Sequence, residues 1–181
     1  ITLNAFSGAT SSQCGHPGLS SNGTIVIEEN AVVTAVGGKS YYPAVGFGSA
    51  GICATNSVTI QGNANVTAVG GDATTDGRSV GINAGFGNTA TITIGGSAKV
   101  VAVGGKSASD SYGLYASDGT GTGTITYTGG LLVARSDSAP TSIAMNKAMT
   151  NSGGTVAPLT GACDSTFAVW GPADTYTVLN S

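Results

Sequence analysis

The sequence predicts an all-β chain folded as a parallel β-helix, a solenoid of three short strands per coil of about 33 residues. Three observations predict it: a repeat spaced 33–34 residues apart, period-2 alternation inside each repeat, and a composition dominated by small residues. The repeat is read first from Ile27-Glu-Glu-Asn-Ala-Val-Val-Thr-Ala-Val36, Ile60-Gln-Gly-Asn-Ala-Asn-Val-Thr-Ala-Val69 and Ile94-Gly-Gly-Ser-Ala-Lys-Val-Val-Ala-Val103, which align without a gap. A decayed fourth copy runs from Tyr127 to Ser136. Gly-Gly follows the first three copies, at Gly37-Gly38, Gly70-Gly71 and Gly104-Gly105. A second signature comes next: Ser49-Ala-Gly-Ile52, Ser79-Val-Gly-Ile82, Ser111-Tyr-Gly-Leu114 and, more loosely, Ser142-Ile-Ala-Met145. His16-Pro-Gly-Leu19 fits as a degenerate copy ahead of the first.

Each unit therefore holds three extended segments, one Thr-Ile-Thr-Ile-like, one Val-Thr-Ala-Val-like and one Ser-x-Gly-Ile-like. All three alternate as half-buried strands do. Asn and Gly mark the corners, where backbone needs positive φ. Four to five coils with irregular caps follow, in a single domain: residues 1–15 as N-terminal cap, 16–156 as repeat coils, 157–181 as C-terminal cap. Alternation places four columns inside: Ile27/Ile60/Ile94/Tyr127, Ala31/Ala64/Ala98/Leu131, Val33/Val66/Val100/Val133 and Ile52/Ile82/Leu114/Met145. The glycines Gly51, Gly81 and Gly113 are expected to form an outward face without side chains, or else to satisfy a tight corner.

Composition excludes several classes. Charged residues are 8% of the 181, with 6 Lys+Arg against 9 Asp+Glu, which cannot build a basic groove for nucleic acid. No apolar run approaches the length of a membrane-spanning helix, so no membrane insertion is expected. Three cysteines, Cys14, Cys53 and Cys163, are too few for a disulfide scaffold, and their pairing stays open. His16 is the single histidine and sits in a Pro-Gly turn, so neither a His-dependent nucleophile nor a metal site is expected. Gly46 to Gly51 matches G-x-G-x-x-G formally, but no helix-forming segment follows it.

The repeats resemble the Gly-Gly-Thr-Val-Thr-Ala-Thr-Gly-Gly … Ala-Gly-Ile-Gly repeats of bacterial cell-surface proteins, a group often labelled carbohydrate-binding or pectate-lyase-like. The likeness spans roughly residues 16–156. It implies a right-handed β-helix, in keeping with the general crossover rule, and an extracellular or cell-surface location. It carries over no site residue.

The loop between Gly38 and Ser49 has ten residues, against seven and five in the next two repeats, and it carries Tyr41, Tyr42, Pro43 and Phe47. Aromatic rings on a loop stack on sugar faces. Tyr41, Tyr42 and Phe47 are therefore the expected stacking residues, Asp72, Asp76 and Arg78 the polar contacts, and Tyr112 and Tyr115 an extension of the patch. Lys39, Asp72 and Lys106 share one position after Gly-Gly and are expected to form a ladder of alternating sign. The expected function is a non-catalytic surface module that binds carbohydrate or another surface ligand, without cofactor. Three alternatives stand beside it: a structural protein that self-associates end to end, ice binding through Thr-x-Thr columns (Ser57/Thr91/Thr124 and Thr59/Thr93/Thr126), and a polysaccharide lyase whose charges would be Asp72, Asp76 and Arg78 in one coil, Lys106 and Asp110 in the next and Asp137 after that, stacked on one edge.

Overall fold

Short alternating segments rich in Thr, Val and Ile, separated by Gly and Asn corners, pair across a repeat because each copy presents the same edge to the next. The computed structural model describes residues 1–7, 16–40, 49–74, 77–85, 90–117, 123–137, 141–145, 149–151 and 167–170, with backbone alone for 141–144, 149–151 and 167–170. Every regular element among them is a strand. The chain passes through β1 (Thr2–Phe6), β2 (Leu19–Ser21) and β3 (Thr24–Ile27), then β4 (Val32–Val36), β5 (Ser49–Ala54) and β6 (Ser57–Ile60). It continues through β7 (Asn65–Val69), β8 (Arg78–Gly85) and β9 (Thr91–Ile94), then β10 (Lys99–Val103), β11 (Asp110–Ser117) and β12 (Thr124–Tyr127). β13 (Leu131–Arg135), β14 (Thr141–Met145), β15 (Met149–Asn151) and β16 (Phe167–Trp170) complete it.

Every third strand joins the same sheet. The first sheet is β1-β4-β7-β10-β13-β16, the second β2-β5-β8-β11-β14 and the third β3-β6-β9-β12-β15. All neighbours are parallel except β16, which runs antiparallel to β13 with Leu132 opposite Trp170. The pairings Thr24↔Ser57, Ser57↔Thr91 and Thr91↔Thr124 carry the 33–34 residue spacing into the third sheet. The chain is a parallel β-solenoid. The segment expected as an N-terminal cap contributes β1, which pairs Thr2 with Val32 at the edge of the first sheet.

One continuous apolar core runs through the interior. Ile60, Ile94, Ile52, Ile82, Leu114, Val66 and Val100 have no solvent exposure, and Ala64, Ala68, Ala98 and Ala102 fill the narrow positions between them. Fully burying one such Ile or Leu contributes about 1.5–3 kcal/mol, so the columns supply the main cohesion. The Ile27/Ile60/Ile94/Tyr127 and Ile52/Ile82/Leu114/Met145 columns stand in register as expected, and Leu19 extends the latter below Ile52.

Two columns require correction at the fourth copy. Val100 pairs with Leu132, not Val133, and Lys99 pairs with Leu131. The corner from Ile94 to Lys99 is one residue longer than the corner from Tyr127 to Leu131, so every later residue shifts by one and changes face. Gly129 and Gly130 carry the shortened corner at φ 156° and 92°. The Tyr127 hydroxyl, inside the core where the other copies have Ile, donates to the Gly130 carbonyl at 2.6 Å and ties that corner down.

The Gly column is also placed differently from the outward face expected of it. A Cβ on Gly51 would lie 2.5 Å from the Val69 nitrogen, and one on Gly81 would lie 2.5 Å from the Val103 nitrogen. Gly51 and Gly81 thus face the first sheet and let the second sheet approach it closely, which is the tight-corner alternative. The alternation breaks there: Ala50, Val80 and Tyr112 form a separate apolar cluster with Cys53 and Tyr115, while Ile52, Ile82 and Leu114 enter the main core. The serine before each of these glycines is buried without exposure at Ser49, Ser79 and Ser111. Ser79 Oγ donates to Gly71 O at 2.7 Å and accepts from Gly105 N–H at 2.7 Å, so it joins one rung to the next. Ser49 Oγ donates to Gly38 O, and Ser111 Oγ accepts from Asp137 N–H.

The opposite corner has a left-handed residue in each rung: Glu29 at φ 58°, Gly62 at 69° and Gly96 at 66°. A Cβ on Gly62 would meet the Glu29 nitrogen at 2.6 Å, and one on Gly96 would meet the Gly62 nitrogen at 2.8 Å. The Cβ at this position therefore points at the preceding rung. Glu29 lies in the first rung of the third sheet, which is why a side chain is tolerated there alone. Glu29→Gly is expected to stabilise the fold by about 1 kcal/mol by relieving left-handed strain, and Gly62→Ala to destabilise it by more than about 1 kcal/mol. Ser79→Ala, which orphans the Gly105 N–H, is expected to cost about 1–3 kcal/mol. Urea unfolding of the three variants reads all three signs.

Candidate functional site

The second sheet brings together four of the charged and aromatic side chains that the repeat itself does not need: Arg78, Asp110, Tyr112 and Tyr115. Arg78 opens β8 and Asp110 opens β11, each immediately before the buried serine of the Ser-x-Gly signature, so the two are in-register partners. Parallel pairing brings them together: Arg78 Nε donates to Asp110 Oδ2 at 3.0 Å. Farther along β11, Tyr115 takes the position after Leu114, opposite Asn83. Arg78 Nη1 donates to the Tyr115 hydroxyl at 2.7 Å, and the guanidinium carbon lies 4.8 Å from the Tyr115 ring centroid. The rings of Tyr112 and Tyr115 stand 5.0 Å apart at 54°. Tilted pairs at this separation are favourable through their quadrupoles, so the two rings hold each other at a fixed angle.

Burial works against the Arg78 charge, but the hydrogen bond to Asp110 and the fields of Tyr115, Asp110 and Tyr112 outweigh it and hold the guanidinium above its ordinary range. Burial pushes the Tyr112 phenol up, and the Asp110 charge adds to that. Both groups keep their usual protonation at neutral pH. With side chains 36% and 20% exposed, the Arg78–Asp110 pair remains reachable from solvent. Two of the five guanidinium N–H groups are engaged by these bonds. The face thus presents donors, an acceptor carboxylate and a half-buried ring within one side-chain length.

Beneath Tyr115 in the same column lie Asn83 and Cys53. Asn83 is 3% exposed. Its Nδ2 donates to Cys53 Sγ at 3.7 Å, while Oδ1 is buried without a partner among the described residues.

Of the residues expected from sequence, Arg78 is at the centre of this cluster, and Tyr112 and Tyr115 belong to it. Asp72 takes a different partner. Ser40, Ala73 and Ser107 form a short ladder of bridges, which stacks Lys39, Asp72 and Lys106 as expected. The Asp72 carboxylate there accepts from the Lys106 backbone N–H at 3.1 Å. Tyr41, Tyr42, Phe47 and Asp76 lie outside the described residues. Asp110 was expected on the same edge as Arg78 among the stacked charges after Gly-Gly, and the structure makes it the direct partner of Arg78; Asn83, beside Tyr115 in the preceding rung, was not singled out in sequence. Their signal was present: Arg78 and Asp110 both precede Ser-x-Gly, and Asn83 and Tyr115 both follow the core residue of that signature.

Comparison with protein-family models, with curated proteins and with solved structures returns no match. The site is therefore argued from its own chemistry.

The Cys53 thiol is pushed up from 9.0 to about 11 by burial, with the Asn83 hydrogen bond opposing it. A folded-state value above the unfolded one contributes stability that is complete below pH 9 and is lost as pH rises toward 11. Alkylation of Cys53 at pH 8, followed by peptide mapping, is expected to run at least about tenfold slower in the folded chain than in urea, because the thiolate is scarce and half-buried.

Proposed function

We propose that this chain is a non-catalytic, extracellular or cell-surface module that binds carbohydrate on the outer face of its second sheet. The observation that carries the reading is the Arg78–Asp110–Tyr115 cluster with Tyr112 beside it. Sugars offer C–H faces that lie on aromatic rings and hydroxyls that both donate and accept. Tyr115 supplies ring surface, the guanidinium supplies donors and Asp110 supplies an acceptor. Those groups rest on strands whose positions are fixed by register, and a site on a rigid sheet needs little ordering when ligand arrives. The segment holding Tyr41, Tyr42 and Phe47 leads into β5, the strand paired with β8, and its rings are proposed to extend the same platform, with Asp72 and Asp76 as further polar contacts.

A second reading, ice binding, is favoured by one observation. One hydroxyl column of the third sheet is longer by a rung than the repeat alignment gives: Thr24, Ser57, Thr91 and Thr124 stand in register, with Ser57 Oγ donating to Thr24 Oγ1 at 3.0 Å. Thr59, Thr93 and Thr126 run alongside, interrupted in the first rung by Val26. End-to-end stacking is the weaker alternative at the corner of Glu29, whose Cβ occupies the space that a preceding rung in the same register would need.

Affinity electrophoresis against a polysaccharide panel tests the main reading. Wild-type protein is expected to be retarded by at least one polysaccharide, and Tyr115→Ala and Arg78→Gln each to weaken that retardation about tenfold with far-UV circular dichroism unchanged. Absence of retardation by any polysaccharide rejects it, and activity in ice recrystallisation inhibition then favours the third-sheet face.

A further inference from the structure

Resting on the sugar-binding reading, we infer that the second-sheet site selects uncharged sugars and that Asp110 is the residue that excludes acidic ones. Arg78 is the cation of the cluster, and its Nε is already held by the Asp110 carboxylate at 3.0 Å. A uronate or sulfated sugar arriving at the guanidinium has to displace Asp110 or sit beside it, and two anions sharing one cation repel at this range. The chain as a whole carries a net charge of −3, so no long-range field draws a polyanion in.

An uncharged pyranose meets the opposite situation. Vicinal hydroxyls donate to the Asp110 carboxylate and accept from the guanidinium N–H groups that Asp110 and Tyr115 leave free, so both ends of the ion pair are used without breaking it. The partly exposed ring of Tyr115, held at 54° by the buried ring of Tyr112 5.0 Å away, supplies the apolar surface for the C–H face. The buried polar side chain beside Tyr115 in the preceding rung is also neutral: Asn83, 3% exposed, adds no second cation that would compensate an acidic sugar. Asp110 acts here as a specificity-determining residue. It lends its oxygens to neutral sugars and spends the Arg78 charge against acidic ones.

The consequence is a switch. Asp110→Asn keeps the shape of the side chain, removes the anion and leaves the guanidinium uncompensated. Affinity gels containing a neutral galactomannan, a neutral β-glucan or polygalacturonate, run at low salt and at about 0.5 M salt, read the outcome, with circular dichroism confirming the fold of each variant. Wild type is expected to be retarded by a neutral polymer and not by polygalacturonate. Asp110→Asn is expected to lose at least about tenfold in neutral retardation and to gain retardation by polygalacturonate that high salt abolishes; Arg78→Gln weakens neutral retardation and gains none by polygalacturonate. Retardation of wild type by polygalacturonate equal to or stronger than by the neutral polymers overturns the selectivity while leaving the sugar-binding reading standing. So does an Asp110→Asn variant with an unchanged profile. Absence of retardation by these three and by every other polysaccharide tested overturns both.

Discussion

The spacing between sheets depends on a buried hydroxyl. At each Gly-Gly corner the chain turns back so sharply that its own backbone packs on the start of the second sheet. A Cβ on Gly70 would lie 2.5 Å from Ser79 Oγ, and one on Gly104 would lie 2.5 Å from Ser111 Oγ. Polar backbone pressed this close and away from water must be hydrogen-bonded or it destabilises the fold. Ser79 meets the need in two directions, to Gly71 within its own rung and from Gly105 in the next. The rest follows from that latch: the second sheet is held against the first, Gly51 and Gly81 must lack side chains, and the core left between the sheets admits Ile at one end and Ala at the other.

Where the repeat is intact, its residues were a sufficient guide. The spacing of Ile27, Ile60 and Ile94 gave the register of the third sheet, and Ser-x-Gly-Ile gave that of the second, because each is set by side chains that have to stack on their own kind. The reading lost register where a corner changed length. Nothing in the alternation of Leu131, Leu132 and Val133 says which of them faces in, since all three are apolar; the loss of one residue at Gly129-Gly130 decides it, and that is a property of backbone geometry. The direction of the Gly51 and Gly81 column was hidden for a similar reason. A residue without a side chain leaves no trace of its face in a hydropathy pattern.

The candidate site was legible to a different degree. Arg78, Tyr112 and Tyr115 stood out as charged and aromatic residues in a chain with few of either. The sequence placed Arg78 and Asp110 on one edge but did not say which charges touch. Asp110 is 32 positions from Arg78, and the two meet because the strand pairing of β8 and β11 is shorter than the pairing of the neighbouring sheets, where steps of 33 and 34 occur. The difference is absorbed in the loops that follow Gly-Gly, which are also the segments that vary most between copies. Partners across rungs are set by the sum of all corner lengths, so small uncertainties in each corner accumulate into the wrong neighbour.

The same division explains why chemistry collects on the second sheet. In β5, β8 and β11 the Ser, Gly and Ile or Leu positions are committed to the latch, the close approach and the core. The residue before the serine and the residue after the core aliphatic have no such duty. They read Arg78 and Asp110 in the first case, and Cys53, Asn83 and Tyr115 in the second. A solenoid whose inward columns must stay alike can diversify only at positions like these, rung by rung, and adjacent rungs then place unlike side chains one strand apart. The Arg78–Asp110 ion pair and the ring of Tyr115 above Asn83 are products of that freedom. Their fixed geometry lies less in any single contact than in strands held in register from behind by groups that never meet solvent.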